Sequence, residues 1–171
     1  LPPCSVMFWP ITISPAPTDT LSLAINDMGA TGAGGARWGW DSVTVNLIAV
    51  NDAPLITIPG TATTAEDTPL VFSAGAGNQV SITDVDAAGT PVEVALSVTN
   101  GILNLAGTAG LTFTAGANGT ASMTFTGTVA AINAALDGLA FAPTADYNGP
   151  AFLSLTVNDL GASGLGGPLM D

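Results

Sequence analysis

The chain has 171 residues, of which thirteen are acidic and only one, Arg37, is basic; there is no histidine and the net charge is −12. Such a charge repels polyanions, so nucleic acid and anionic membrane surfaces are poor partners. The single cysteine, Cys4, leaves no internal disulfide, and no apolar run reaches the roughly 18 residues of a membrane-spanning helix.

In chain order, the opening LPPCSVMFWP follows no simple pattern; Phe8-Trp9-Pro10 has a counterpart in Phe141-Ala142-Pro143, and the rest has none. LSLAINDMGATGAGG (21–35) reads as a strand that ends on an Asn-Asp pair and runs into a Gly-rich loop. The same phrase returns as LSLTVNDLGASGLGG (153–167), displaced by 132 residues and identical at ten of fifteen positions. A period that long leaves room for the end of one unit and most of another. Residues 1–50 are therefore expected to be the last strands of a preceding, incomplete repeat, and residues 51–171 a repeat lacking its final strand, the counterpart of DSVTVNLIAV (41–50). Leu1 is not an initiator Met, so the chain is expected to be a window cut from a longer array.

Arg37-Trp38-Gly39-Trp40-Asp41 places two aromatics in the loop after the first copy, where the second copy has Pro168-Leu169-Met170. TVNLIAV (44–50) follows as a strand. Val50-Asn51-Asp52-Ala53-Pro54 is the joint between units; Pro54 lacks a backbone donor and holds Ala53 extended, so the joint is short and stiff. LITI (55–58), VSIT (80–83), VEVALSV (92–98), LTFT (111–114), MTFT (123–126) and FLSLTV (152–157) alternate or are rich in β-branched and aromatic residues, and read as strands. Asn100-Gly101 between two of them predicts a two-residue hairpin. One stretch breaks the pattern: TVAAINAALDGL puts Val129, Ile132, Leu136 and Leu139 at helical spacing, with Thr128 as N-cap and Gly138 as stop. Short strands at this spacing, with one short helix, predict an all-β antiparallel sandwich rather than βαβ units.

Only 8% of residues are charged, so the acids are no solubilising coat. Most stand at strand ends: Asp27, Asp52, Glu66 with Asp67, Asp84 with Asp86, and Asp159. Some are simple turn residues, and Asp67 and Asp137 read best as turn or cap. Following the strand directions, Asn51, Asp52, Asp84, Asp86 and Asp159 converge at the end of the second unit beside the joint. Crowded carboxylates repel, and no cationic side chain is at hand. A calcium ion, which takes six to eight oxygen ligands, answers both points. The Asp84-Val85-Asp86 spacing on an extended segment turns both carboxylates to one side. It is not an EF-hand loop, since Ala88 and Ala95 stand where further ligands are required.

In order, VNDAP (50–54), AEDTPL (65–70), TDVDAAG (83–89), VTNG through MTFTG (98–127), the helix, FAPTADYNGP (141–150) and LTVND (155–159) resemble the cadherin-like tandem repeats of very large bacterial surface adhesins, of the VCBS and RTX-adhesin type. The resemblance spans roughly residues 8 to 171. It implies a Greek-key β-sandwich of cadherin or immunoglobulin-like form, repeated in tandem, with calcium held at the joint by Asn51, Asp52, Asp84, Asp86 and Asp159. It implies that Glu66, with Asp146, faces the next joint. The linker here is shorter than the full cadherin linker, so fewer ions are expected at the joint.

The function expected is that of a calcium-stiffened structural or adhesive repeat in cell adhesion or biofilm attachment. It would act outside the cell, with adjacent repeats of the same chain as its partners and a cell-surface or glycan ligand as a further possibility. The alternative is a carbohydrate- or ligand-binding sandwich module, for which Trp38 and Trp40 are the candidates; the simpler account is that they cover an edge strand. An enzyme is not expected: without His or Lys only paired carboxylates remain for acid–base work, and Glu66 and Glu93 sit in unrelated strands. Because the final strand is missing, the strand ending at Asp159 is expected to present an open edge that is prone to pairing.

Overall fold

The computed structural model describes residues 6–7, 18–27, 29, 34–87, 89–161 and 164–171. The proposed counterpart at 8–10 lies outside them. The chain divides into two compact units, Leu1–Ala49 and Val50–Asp171.

In the first unit β1 (Val6–Met7), β2 (Thr18–Asn26) and β3 (Trp38–Asn46) form one sheet in that order. β2 and β3 pair along their whole length, from Thr18 opposite Asn46 to Asn26 opposite Trp38. The expected strand over 44–50 is therefore displaced: β3 ends at Asn46 and begins at Trp38. The segment 38–41, expected to be a loop, is strand, because each of its residues finds a partner on β2 and tryptophan suits a pleated surface. Period-two alternation places Leu21, Leu23, Ile25, Val43 and Val45 on one face, and Ser22, Ala24, Trp38, Trp40 and Ser42 on the other.

The second unit is mostly strand. β4 (Leu55–Thr57) pairs with β6 (Ser81–Thr83); β5 (Leu70–Phe72), β11 (Leu139–Pro143) and β8 (Gly101–Asn104) form a sheet with β11 central; β12 (Leu153–Asn158), β7 (Pro91–Val98), β10 (Ser122–Thr128) and β9 (Thr112–Gly116) form another in that order. Every ladder between strands is antiparallel, consistent with an all-β sandwich. Val92, Val94, Leu96 and Val98 of β7 turn inward, as do Met123 and Phe125 of β10 and Leu155 and Val157 of β12. They meet Phe72, Leu103 and Leu139 from the other sheet in one buried cluster.

The helix α1 (Val129–Leu136) closes that cluster with Ile132 and Leu136. Thr128 caps it, its hydroxyl accepting from the Ala131 N–H at 3.2 Å. Gly138, at φ 108°, turns the chain into β11. Asn133 of the helix holds β6 as a neighbouring strand would: its side chain accepts from the Ile82 N–H at 2.9 Å and donates to the Ile82 carbonyl at 2.8 Å. No helix among the described residues is long and apolar enough to cross a membrane.

Two further expectations are corrected. Asn100-Gly101 is not a hairpin turn: β7 and β8 join different sheets, so the turn is a corner between layers. Asn100 takes φ 57° there, and a side chain at Gly101 would collide with the Ala142 carbonyl and the Phe141 ring. Nor is the outer edge of β12 wholly open. Residues 169–171 run antiparallel beside its end: the Val157 N–H donates to the Asp171 carbonyl at 3.0 Å, the Asp171 N–H to the Val157 carbonyl at 3.1 Å, and Met170 stands opposite Asn158. By the shift of 132 these residues are the counterparts of 37–39, just ahead of the stretch expected to be missing, the counterpart of 41–50.

Candidate functional site

The Asn-Asp pair that ends both repeated strands acquires a clear local role. Asp159 Oδ1 accepts from the Gly161 N–H and from the Leu169 N–H, each at 2.8 Å, while its own N–H donates to the Leu169 carbonyl. The carboxylate thus clasps the neck of the Gly-rich loop. Asp27 does the same in the first unit: its Oδ1 accepts from Gly29 N–H at 2.9 Å and Arg37 N–H at 2.8 Å, and its N–H donates to the Arg37 carbonyl. Every one of these positions shifts by 132 residues into its counterpart, as does the rung of Asn26 with Trp38 into that of Asn158 with Met170. The sequence signal was Asp-x-Gly directly after each strand, an Asx-turn pattern, in Asp27-Met28-Gly29 and Asp159-Leu160-Gly161.

Asp159 differs from Asp27 in being buried, at 1% exposure. Its Oδ2 accepts from Asn51 Nδ2 at 2.5 Å. Asn51, 5% exposed, is itself tied down: its N–H donates to the Leu165 carbonyl at 2.9 Å and its amide to the Gly167 carbonyl at 3.0 Å. Burial works to raise the Asp159 pKa, but the donors from Leu169, Gly161 and Asn51 prevail and hold it below the ordinary carboxylate value. The Asp27 carboxyl is held low by the N–H groups of Arg37 and Gly29.

Asp84 and Asp86 follow β6. The segment is a turn rather than the extended stretch expected. Asp84 folds the chain into a turn, its Oδ1 accepting from the Asp86 N–H at 2.8 Å and the Ala87 N–H at 3.0 Å. Asp86 Oδ2 in turn accepts from the Asp52 N–H at 2.6 Å, so the linker is tied to this turn. Asp171 Oδ2 accepts from the Ile56 N–H at 2.7 Å, just after the linker; sequence reasoning missed it, since nothing local marks the last rung of a ladder as a partner of residue 56. Asn51 and Asp159 are thus brought into direct contact, as are Asp52, Asp86 and Asp84, and the two groups adjoin through the Asn51-Asp52 peptide.

Glu66 is not among them. It is exposed and lines a cavity of about 580 Å³ with Thr64, Phe141, Pro143 and Tyr147. The Tyr147 hydroxyl accepts from Asn100 Nδ2 at 3.0 Å, which sets this cavity at the Asn100 corner. Asn158 pairs with Glu93, near the other end of β7. Beside Glu66, Asp67 Oδ1 accepts from the Asp146 N–H at 3.0 Å, with both residues at positive φ. Asp137 is likewise structural, accepting from the Ala74 N–H at 2.9 Å.

Among the described residues no three or more Asp, Glu or Cys side chains are arranged to hold a metal ion. Asp27 Oδ1 and both carboxylate oxygens of Asp159 answer to N–H donors. Asp84 Oδ2 is different: it is buried and has no hydrogen-bond partner, an uncompensated acceptor of the kind a cation would satisfy. With Asp86 and the exposed Asp52 adjoining, the donor set is of the hard oxygen type suited to calcium. In the first unit Trp38 and Trp40 are exposed and stack on each other, ring centroids 5.8 Å apart and planes 22° from parallel. Comparison with models of protein families, with curated proteins and with solved structures finds no match in any of the three.

Proposed function

We propose that the chain is a stretch of a tandem array of Greek-key, cadherin-like repeats from a large extracellular bacterial adhesin, stiffened by calcium at its joints. The observation that carries this reading is Asp84 Oδ2, a buried oxygen without a donor in a turn that also grips the linker through Asp86 and the Asp52 N–H. Asp52, Asp84 and Asp86 would supply the calcium oxygens. Asn51 and Asp159 would serve as the scaffold that fixes the linker and the last hairpin, and Glu66 would belong to the opposite end. The resemblance in VNDAP (50–54), TDVDAAG (83–89) and LTVND (155–159) supports the same assignment. The partners are then neighbouring repeats, and the reading is non-catalytic.

Calcium titrated against thermal unfolding tests it. Extracellular calcium modules bind at about 10⁻⁴–10⁻³ M, and at about tenfold excess one site adds roughly 1.4 kcal/mol. A melting point that ignores calcium through the millimolar range would end this reading. A second reading, a neutral-glycan site at Trp38 and Trp40, draws on their exposure of 53% and 72%. Their mutual stacking already occupies one face of each ring, which favours the simpler account that they cover the strand. Glycan-array binding abolished by Trp38→Ala and Trp40→Ala would reverse that preference.

A further inference from the structure

Three asparagines are followed directly by glycine, in Asn100-Gly101, Asn118-Gly119 and Asn148-Gly149. Such a pair is open to a reaction that needs no enzyme. With no side chain on the second residue, its backbone nitrogen can swing onto the amide carbon of the asparagine before it. Local sequence treats the three pairs alike. The fold does not.

Asn100 stands at the corner between β7 and β8. Its Nδ2 donates to the Tyr147 hydroxyl at 3.0 Å and to the Pro150 carbonyl at 3.2 Å. Gly101 opens β8, close against the Ala142 carbonyl and the Phe141 ring, so amide and glycine are both held. At Asn118 the side-chain Oδ1 accepts from the Leu105 N–H at 2.7 Å, and the Gly119 N–H, the group that would attack, donates to the Leu103 carbonyl at 3.0 Å. Asn148 is exposed, and neither its amide nor the Gly149 N–H has a hydrogen-bond partner among the described residues. Glycine is nevertheless imposed at 149. A side chain there would collide with the Tyr147 hydroxyl, which is fixed by donating to the Pro150 carbonyl at 2.9 Å. Packing thus sets the reactive neighbour beside an asparagine that nothing restrains. The groups that create the contrast, at 100, 103, 105, 147 and 150, lie within the second unit and involve neither end of the chain.

We infer that Asn148 is a self-modification site. The Gly149 nitrogen attacks the Asn148 side-chain carbonyl carbon, the new C–N bond replaces the bond to Nδ2, and the proton lost from Gly149 leaves with that nitrogen as ammonia. Water then opens the cyclic imide at either carbonyl, giving aspartate or isoaspartate, with no change of oxidation state. Both products place a new carboxylate on the wall of the cavity that Glu66 lines. Isoaspartate also threads the side-chain methylene into the backbone, lengthening the segment that the hydrogen bond from Tyr147 to Pro150 spans. Calcium takes no part.

Peptide mapping by mass spectrometry of the folded 171-residue chain, aged in warm, mildly alkaline buffer with chelator, tests this. Asn148 is expected to convert at least about tenfold faster than Asn100 or Asn118, which react only through local opening. In denaturant the difference should vanish. Asn148→Gln, at an exposed position, should leave the melting point unchanged and remove most of the isoaspartate that accumulates in the folded chain. Equal rates at the three sites of the folded chain overturn the inference, as does a difference that persists unchanged in denaturant. So does an Asn148 that is inert when folded and reactive when unfolded, or an isoaspartate signal undiminished in Asn148→Gln.

Discussion

Asp27 and Asp159 sit in the same turn of two copies of one hairpin, yet only Asp159 is buried and meets a third donor, Asn51. A buried carboxylate that accepts from two backbone N–H groups and an amide cannot be removed without leaving those donors unpaired, and hydrogen bonds to charged groups contribute about 1.5–3 kcal/mol each. Asp159→Ala is therefore expected to destabilise the second unit by about 3 kcal/mol in chemical denaturation, and Asp27→Ala should cause a clearly smaller loss. The pH dependence has a definite sign. Because the folded carboxyl is held low, its stabilisation is complete above the unfolded Asp pKa of about 3.9 and is lost as pH falls through the lower folded value. Melting points followed from neutral pH down to strong acid should drop below about pH 4, and the drop should be shallower in Asp159→Asn. At Asp84 the expectation is different: Asp84→Asn should abolish most of a calcium-induced rise of about 5 °C in melting point, and change little in chelator.

Among the elements, the helix was the most legible. Val129, Ile132 and Leu136 repeat at the period of a helix, Thr128 can cap and Gly138 can stop, and each of these is a property of neighbours within one or two turns. The helix also does something that spacing cannot reveal. Asn133 reaches across to both backbone groups of Ile82 and so positions β6, whose end delivers Asp84. Asn133→Ala should cost about 1–3 kcal/mol and speed amide exchange at Ile82. Ala134→Ser, on the exposed side of the same helix, is the matched control and should change little. Strands were legible where they alternate, as VEVALSV does in β7 with Val92, Val94, Leu96 and Val98 buried. They were misread at 38–41, where the pairing with β2 decides, and at Asn100-Gly101, where the turn residues are right for a hairpin but the strands part to different sheets.

For the whole molecule, the joint residues are the point of interest. Carboxylates gathered near one linker were expected to need a cation to stay together; much of that work falls to N–H groups, which hold Asp159, Asp86 and one oxygen of Asp84. The calcium reading therefore rests on a smaller set than sequence suggested, Asp52, Asp84 and Asp86, with Asn51 and Asp159 as their frame. If calcium stiffens the joint, small-angle scattering of the chain should show a larger maximum dimension and a narrower distance distribution in millimolar calcium than in chelator. Equal profiles in both would argue against a stiffened rod.

By itself the sequence determined the class of the protein and the identity of its elements. Alternation with period two, a single helical stripe, a repeated phrase and acids at strand ends are all local patterns, and local patterns follow from backbone geometry and the partition of side chains between water and core. Only the tertiary structure decided which sheet each strand joins and which donor each carboxylate meets. Those outcomes depend on pairs such as Asn51 with Asp159 and Ile56 with Asp171, more than a hundred residues apart, whose meeting is set by how the layers stack and by no feature of the residues beside them.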